Sequence, residues 1–181
     1  IYANAPTFRV IDILVCDENN YVCNNSKTFY VNVSLVANRE FNLKSGWNLI
    51  SIPYKSIVLD ENQDECDLKN KIFHYYNASS NTWQYFRFNE LKYGLAYWVY
   101  SEKDCTSKVA ASGKVDLNDL PKAVKNRKNY IGSLTSPTDL NSVAAAINCN
   151  NPKARRWDPT SNSFIDTTRI LPWYGYIIEC S

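Results

Sequence analysis

The 181 residues predict a mainly β protein with minor helix (α+β): two homologous β-rich repeats, preceded by a two-strand segment of immunoglobulin-like character. Three observations lead there. Segments of the first half recur 81 residues further on. Short apolar and aromatic runs alternate with turn residues, with a period nearer two than 3.6. Six cysteines pair most simply as one bridge in each repeat and one in the preceding segment, which gives three disulfides.

The recurrence is read in three places. Trp47-Asn48-Leu49-Ile50-Ser51 falls on Lys128-Asn129-Tyr130-Ile131-Gly132. Tyr76-Asn77-Ala78-Ser79-Ser80-Asn81-Thr82-Trp83 falls on Trp157-Asp158-Pro159-Thr160-Ser161-Asn162-Ser163-Phe164. Tyr93-Gly94 falls on Tyr174-Gly175. A repeat turns many residues that look special into shared architecture, so it has to be read before any site. The chain then divides into an arm or partial immunoglobulin-like segment (1–38), repeat 1 (39–113) and repeat 2 (114–181).

Each element follows in order. Phe8 to Val15 is a strand rich in Ile and Val, and Phe29 to Leu35 alternates apolar with polar residues. Asp17-Glu18-Asn19-Asn20 is turn chemistry between them. Two strands are too few for independent stability, so this arm is a candidate for strand addition to a neighbour. In repeat 1, Trp47 to Ile52 is a buried-type strand stopped by Pro53. Lys71 to Tyr76 and Thr82 to Phe88 form a hairpin, Gly94 to Tyr100 is an aromatic strand, and Thr106 to Ala110 adds a further one. Residues 110–121 read as a polar connection. Repeat 2 has a strand at Tyr130 to Leu134, then a helix capped by Thr138 or Asp139. Its apolar face is Leu140, Val143, Ala144 and Ile147. A counterpart helix is expected in repeat 1 within 57–70.

Hydrophobic residues make up 45% of the chain and aromatics 14%, enough for a real core. Charged residues reach 21% with a net charge of +2, so no face announces nucleic acid or a charged membrane. No apolar run approaches a membrane span. The chain has no methionine, which leads us to expect a processed chain or a piece of a longer one.

The cysteines stand at 16, 23, 66, 105, 149 and 180. Six allow fifteen pairings, and equivalent positions in the repeats should make equivalent bonds. That gives Cys66–Cys105 and Cys149–Cys180, leaving Cys16–Cys23. In the loop-entropy picture the long bridges contribute roughly 4 kcal/mol each and the short one about 2.5. Sequons at Asn24, Asn32 and Asn77 agree with an oxidising, glycan-bearing compartment. Together these point outside the cell.

Gly46-Trp47-Asn48-Leu49-Ile50-Ser51-Ile52-Pro53, Tyr76-Asn77 through Trp83, and Gly94-Leu95-Ala96-Tyr97-Trp98-Val99 resemble a tandem module of archaeal secreted and surface-layer-type proteins. That module is marked by GWNLI-x-x-P, Y-D-x-x-T-x-x-W and G-x-G/A-Y-W. The similarity covers about three quarters of the chain; repeat 2 keeps Trp157-Asp158-Pro159-Thr160 and Gly175-Tyr176 but has Lys128 and Leu134 at the Trp and Pro of the opening motif. The resemblance implies an extracellular structural or adhesive part of a longer polypeptide, with no catalytic activity.

The residues themselves say little for catalysis. His74 is the only imidazole and sits in an aromatic strand, where packing is its ordinary role. No nucleophile motif accompanies it. The acidic run from Asp60 to Asp67 reads as a solvated loop. Its Asp60, Asn62 and Asp64 mimic the start of a calcium loop, but Glu65 stands where the loop needs Gly and Lys71 where it needs Glu. Arg155-Arg156 reads as a solvated hairpin edge. Aromatic positions that recur in both repeats read as core. Those where the repeats differ, Tyr85, Tyr100 and Trp173, are the better interaction candidates. The expectation is therefore a non-enzymatic extracellular structural protein of a cell-surface layer, filament or adhesive appendage, self-assembling or joined to another surface protein. The alternative is a carbohydrate-binding module. No cofactor is expected.

Overall fold

The computed structural model describes residues 9–14, 26–31 and 37–181. They belong to two compact units, Ile1–Val36 and Ala37–Ser181. In the first, β1 (Arg9–Leu14) pairs antiparallel with β2 (Ser26–Val31), Arg9 opposite Val31 and Leu14 opposite Ser26. Cys16, Cys23, Asn24 and Asn32 lie outside the described residues, and with them the expected Cys16–Cys23 bridge.

The second unit is mainly β and has two halves. The first half comprises β3 (Ala37–Leu43), β4 (Gly46–Ser51), β5 (Tyr54–Asp64), β6 (Phe73–Asn77), β7 (Thr82–Phe86), β8 (Ala96–Ser101) and β9 (Cys105–Lys114). The second half comprises β10 (Lys128–Ile131), β11 (Thr138–Asp139), α1 (Leu140–Ala146), β12 (Lys153–Asp158), β13 (Ser163–Thr167), β14 (Arg169–Ile170) and β15 (Tyr176–Glu179).

Each half is built on a four-stranded antiparallel sheet, in the order β4-β8-β6-β7 and β10-β15-β12-β13. Read by place in the chain, the order is the same. The local chemistry matches as well. Asn48 is buried and its amide donates to the carbonyls of Lys44 and Gly46; Asn129 is buried and donates to those of Val124 and Arg127. In the hairpin turns the Asn77 side chain accepts from the Ser79 N–H and that of Asp158 from the Thr160 N–H, and each turn closes through a left-handed Asn81 or Asn162.

What covers the inner face of each sheet differs. In the first half, β3-β9-β5 form a second sheet. Phe41, Leu43 and Val109 from it meet Ile50, Ile52, Phe73, Tyr97 and Val99 in a sandwich core. In the second half α1 takes that place, packing Leu140, Val143, Ala144 and Ile147 on Ile131, Ala154, Tyr176 and Ile178. Asp139 caps α1, its carboxylate accepting from the Ser142 N–H at 2.9 Å.

The helix expected within 57–70 is not there. Residues 54–64 extend as β5, with Ile57 and Leu59 turned to the core and Val58 outward, a period of two. Pairing with β9 outweighs any helical preference of this charged run. Nor is 110–121 merely a connection, because β9 runs on to Lys114.

Two disulfides lie among the described residues. Cys66–Cys105 joins the end of β5 to the start of β9, and Cys149–Cys180 joins the segment after α1 to the end of β15. Each half is closed by its own bridge.

Strands at the same place in the two sheets are offset by 81 residues for β4 and β10, β6 and β12, and β7 and β13, but by 79 for β8 and β15. The reason is local: a 3-10 turn at Phe88–Glu90 gives the first half two extra residues before β8. Tyr97 therefore corresponds to Tyr176. Their buried hydroxyls make the same closure, accepting from the Lys92 N–H at 2.8 Å and from the Leu171 N–H at 2.7 Å. Gly94 corresponds to Trp173, and both have a left-handed backbone, φ 75° and 70°. The alignment of Tyr93-Gly94 with Tyr174-Gly175 is thus displaced by two.

The halves meet through the outer faces of their sheets. Leu49, Ala96, Tyr130 and Ile177 are buried there, flanked by Tyr76 and Trp157. Matching backbone bonds close the two edges: Ser51 N–H donates to the Trp173 carbonyl at 2.9 Å, and Gly132 N–H to the Gly94 carbonyl at 2.8 Å. This covers the polar edges of β4 and β10. The approach is close enough that a Cβ on Gly175 would lie 2.7 Å from that of Ala96.

Candidate functional site

The outer face of the first sheet is only partly covered. Strand alternation sends Trp47 and Leu49 from β4, Trp98 and Tyr100 from β8, His74 and Tyr76 from β6, and Trp83 and Tyr85 from β7 to this side. The second half covers Leu49 and Tyr76. Beyond them lies an open trough of about 600 Å³, lined by Trp47, His74, Trp83, Tyr85, Trp98, Trp157, Asn162 and Phe164. Tyr100 stands beside it, half exposed.

The rings interlock edge to face. Trp47 meets Trp98 at 6.3 Å, Tyr100 at 5.6 Å and His74 at 5.6 Å; His74 meets Tyr85 at 5.1 Å. Across the junction Trp98 meets Trp157 at 5.2 Å. The Trp157 indole donates to the Trp47 carbonyl at 2.7 Å, tying the trough wall of one half to the strand of the other.

The same face of the second sheet has a different chemistry. In the first sheet one cross-strand row runs Leu49–Trp98–His74–Tyr85, and Trp47 faces Tyr100. In the second the matching row runs Tyr130–Ile177–Arg155–Asp166, and Lys128 faces Glu179. Next to the junction both rows are apolar. Away from it one is aromatic and the other charged, with Arg155 paired to Glu179 at 2.6 Å.

Of the residues singled out in sequence, Tyr85 and Tyr100 lie on this face, Tyr85 64% exposed. Trp173 does not. It is half buried in the first-half core, its ring edge-on to Phe41 at 5.8 Å and against Tyr54 at 5.7 Å. A ring from the second half thus fills the core of the first, on a backbone that a bulky residue seldom adopts. The calcium candidates Asp60, Asn62 and Asp64 lie along the end of β5. Asp60 accepts from the Asn62 N–H and the Gln63 amide, while Asp64 accepts from Ser107, Leu68 and Lys69. No group of three or more His, Cys, Asp or Glu placed to hold a metal occurs among the described residues. Asn77 ends β6 half-buried, its carbonyl oxygen engaged in the turn. Arg156 lies over the Tyr174 ring at 5.2 Å.

Of the trough residues, sequence reasoning singled out Tyr85 and missed Trp47, Trp83, Trp98, Trp157 and Phe164, which read as core or shared architecture, and His74, which read as packing. The signal was present in Trp47, which falls on Lys128 when the sequence is compared with itself 81 residues on, but an apolar strand invites a core reading.

Burial pushes the Tyr176 hydroxyl up to about 12 and raises that of Tyr97 further. Both serve the fold rather than the trough. Among the described residues, no helix is long and apolar enough to cross a membrane. Compared with known protein families, curated proteins and solved structures, the chain matches none.

Proposed function

We propose that this chain is a non-enzymatic structural module acting outside the cell, in a surface layer, filament or adhesive appendage, and that it joins its neighbours through the aromatic face of the first sheet. One observation carries the reading. On two sheets of one plan, the positions away from the junction are Trp47, His74, Tyr85 and Tyr100 in one and Lys128, Arg155, Asp166 and Glu179 in the other. Packing of the two halves does not require this difference, since both sheets tolerate their own version. Exposed rings of this kind serve contact with other molecules.

The extracellular part rests on the two bridges, which persist in oxidising compartments, and on the sequon at Asn77. We read the halves as products of one duplication, because strand order, turn residues and buried asparagines correspond throughout. The test is the size of the native protein. Sedimentation of a species larger than the single chain, lost on placing charge at Tyr85 and Tyr100, supports assembly. A protein that stays single at every concentration counts against it.

A second reading is a carbohydrate-binding module. It is favoured by the open ring faces of the trough and by Asn162 and His74 at its margin. Its test is a change in tryptophan emission on titration with soluble polysaccharides.

A further inference from the structure

Resting on the assembly reading, we infer that the partner of the aromatic face is a second copy of this chain, seated first half to first half across a two-fold axis. At this face the contact closes at two rather than extending as a fibre.

Continuity with an existing interface is the first argument. The covered part of this sheet face already packs on another sheet face of the same plan, Leu49 and Tyr76 against Tyr130 and Trp157. The open rings extend that interface without a polar break, since Trp98 touches both Trp157 and Trp47. The open part of the face thus has the same aromatic chemistry as the part that already packs on an antiparallel sheet.

Area is the second argument. At roughly 150–250 Å² per aromatic side chain, the open fractions of Trp47, Trp83, Tyr85, Tyr100 and Phe164 leave on the order of 500 Å² of ring surface in water. A standard interface takes about 800 Å² from each partner, with an apolar centre and a polar rim. The rings supply that centre. A sugar chain would instead need hydroxyl partners along its length, and the trough offers chiefly His74 and Asn162.

Charge decides the symmetry. A head-to-tail contact would set the rings of one copy on the matching face of the next, and so bury Lys128, Arg155, Asp166 and Glu179 against apolar surface. Desolvating those charges opposes that contact. The remaining self-complementary arrangement is rings on rings, which is isologous and closes at two.

The experiment is sedimentation velocity on the full chain across a dilution series, with two exchange variants. The first carries into the first half what the second half holds at the same register: Trp47→Lys, Tyr85→Asp and Tyr100→Glu. The second carries the reverse: Lys128→Trp, Asp166→Tyr and Glu179→Tyr. The wild type is expected to pass from monomer to dimer and stop there. The first variant should dissociate about 100-fold more readily or better, as expected for centrally placed aromatic anchors. The second should grow beyond the dimer, because both faces are then apolar.

If the triple variant fails to fold, Tyr85→Asp alone provides the same test, at a position mostly in water. Chains longer than two in the wild type would overturn the closed pair and leave the assembly reading standing. A monomer throughout, with tryptophan emission responding to polysaccharide, would overturn both in favour of the glycan reading. A monomer that responds to nothing would overturn both outright. Wild-type dimerisation by the folded first variant would show that this face is not the contact.

Discussion

The two halves of the Ala37–Ser181 unit are each built on a four-stranded sheet of the same strand order, and they differ on both sides of it. Inside, the first half closes its core with the sheet β3-β9-β5 and the second with α1. Outside, the first presents rings where the second presents paired charges. The inner difference teaches that a four-stranded sheet accepts either cover as long as enough apolar surface is buried. The outer difference is more informative. Nothing in the packing of the halves demands it.

The comparison can be strained hardest at the bridges. Replacing both cysteines of either pair by alanine is expected to cost about 2–5 kcal/mol. Loops of 39 and 31 residues differ by only about 0.2 kcal/mol in closure entropy. Thermal melts of the two variants should therefore nearly coincide. A large gap would show that one half folds on the other.

Trp173 probes the one place where the second half supplies the first with core. Trp173→Ala should destabilise by about 2–4 kcal/mol, somewhat less than for a fully buried ring. Trp173→Gly should cost about 1 kcal/mol less than the alanine change, because glycine suits the left-handed backbone there. Denaturant titration of the pair checks this inverted order. Alanine equal to or better than glycine would show that the backbone relaxes once the ring is gone.

Gly175 and Ala96 face each other at the junction, and only one side has room for a methyl group. Gly175→Ala is expected to cost about 1–3 kcal/mol by overpacking, and Ala96→Gly about 1 kcal/mol or less. Equal losses would mean that the junction adjusts freely.

The last effect shows only at alkaline pH. The Tyr97 and Tyr176 hydroxyls ionise later in the folded chain than in the unfolded one. Their stabilisation is complete below about pH 10, the unfolded value, and for Tyr176 is lost as pH rises towards 12. Tyr176→Phe should flatten the alkaline limb of the stability curve measured by urea unfolding, and a limb left unchanged would count against the linkage.

Much of the strand layout was legible because it is local. Asn77 and Asn81 define the β6–β7 turn, and Asp139 stands where a helix must begin. The run Ile57-Val58-Leu59 was not legible, since three apolar residues amid charge do not reveal their period until β9 lies beside them. Nor was the two-residue shift before β15, which depends on the 3-10 turn at Phe88–Glu90. Of the surface, Tyr85 and Tyr100 could be read by contrast with the other half. Trp173 obeys the same contrast yet points inward, because a sequence comparison carries no direction for a side chain leaving a loop.

The central claim is that the aromatic face of the first sheet, and not its charged counterpart, meets other molecules. Indole N–H resonances of the ¹⁵N-labelled chain, followed across a dilution series, test it most directly. The account predicts concentration-dependent shifts for Trp47, Trp83 and Trp98 with Trp173 unmoved. Shifts confined to backbone amides around Lys128, Asp166 and Glu179, with the Trp47 and Trp98 indoles stationary, would contradict it.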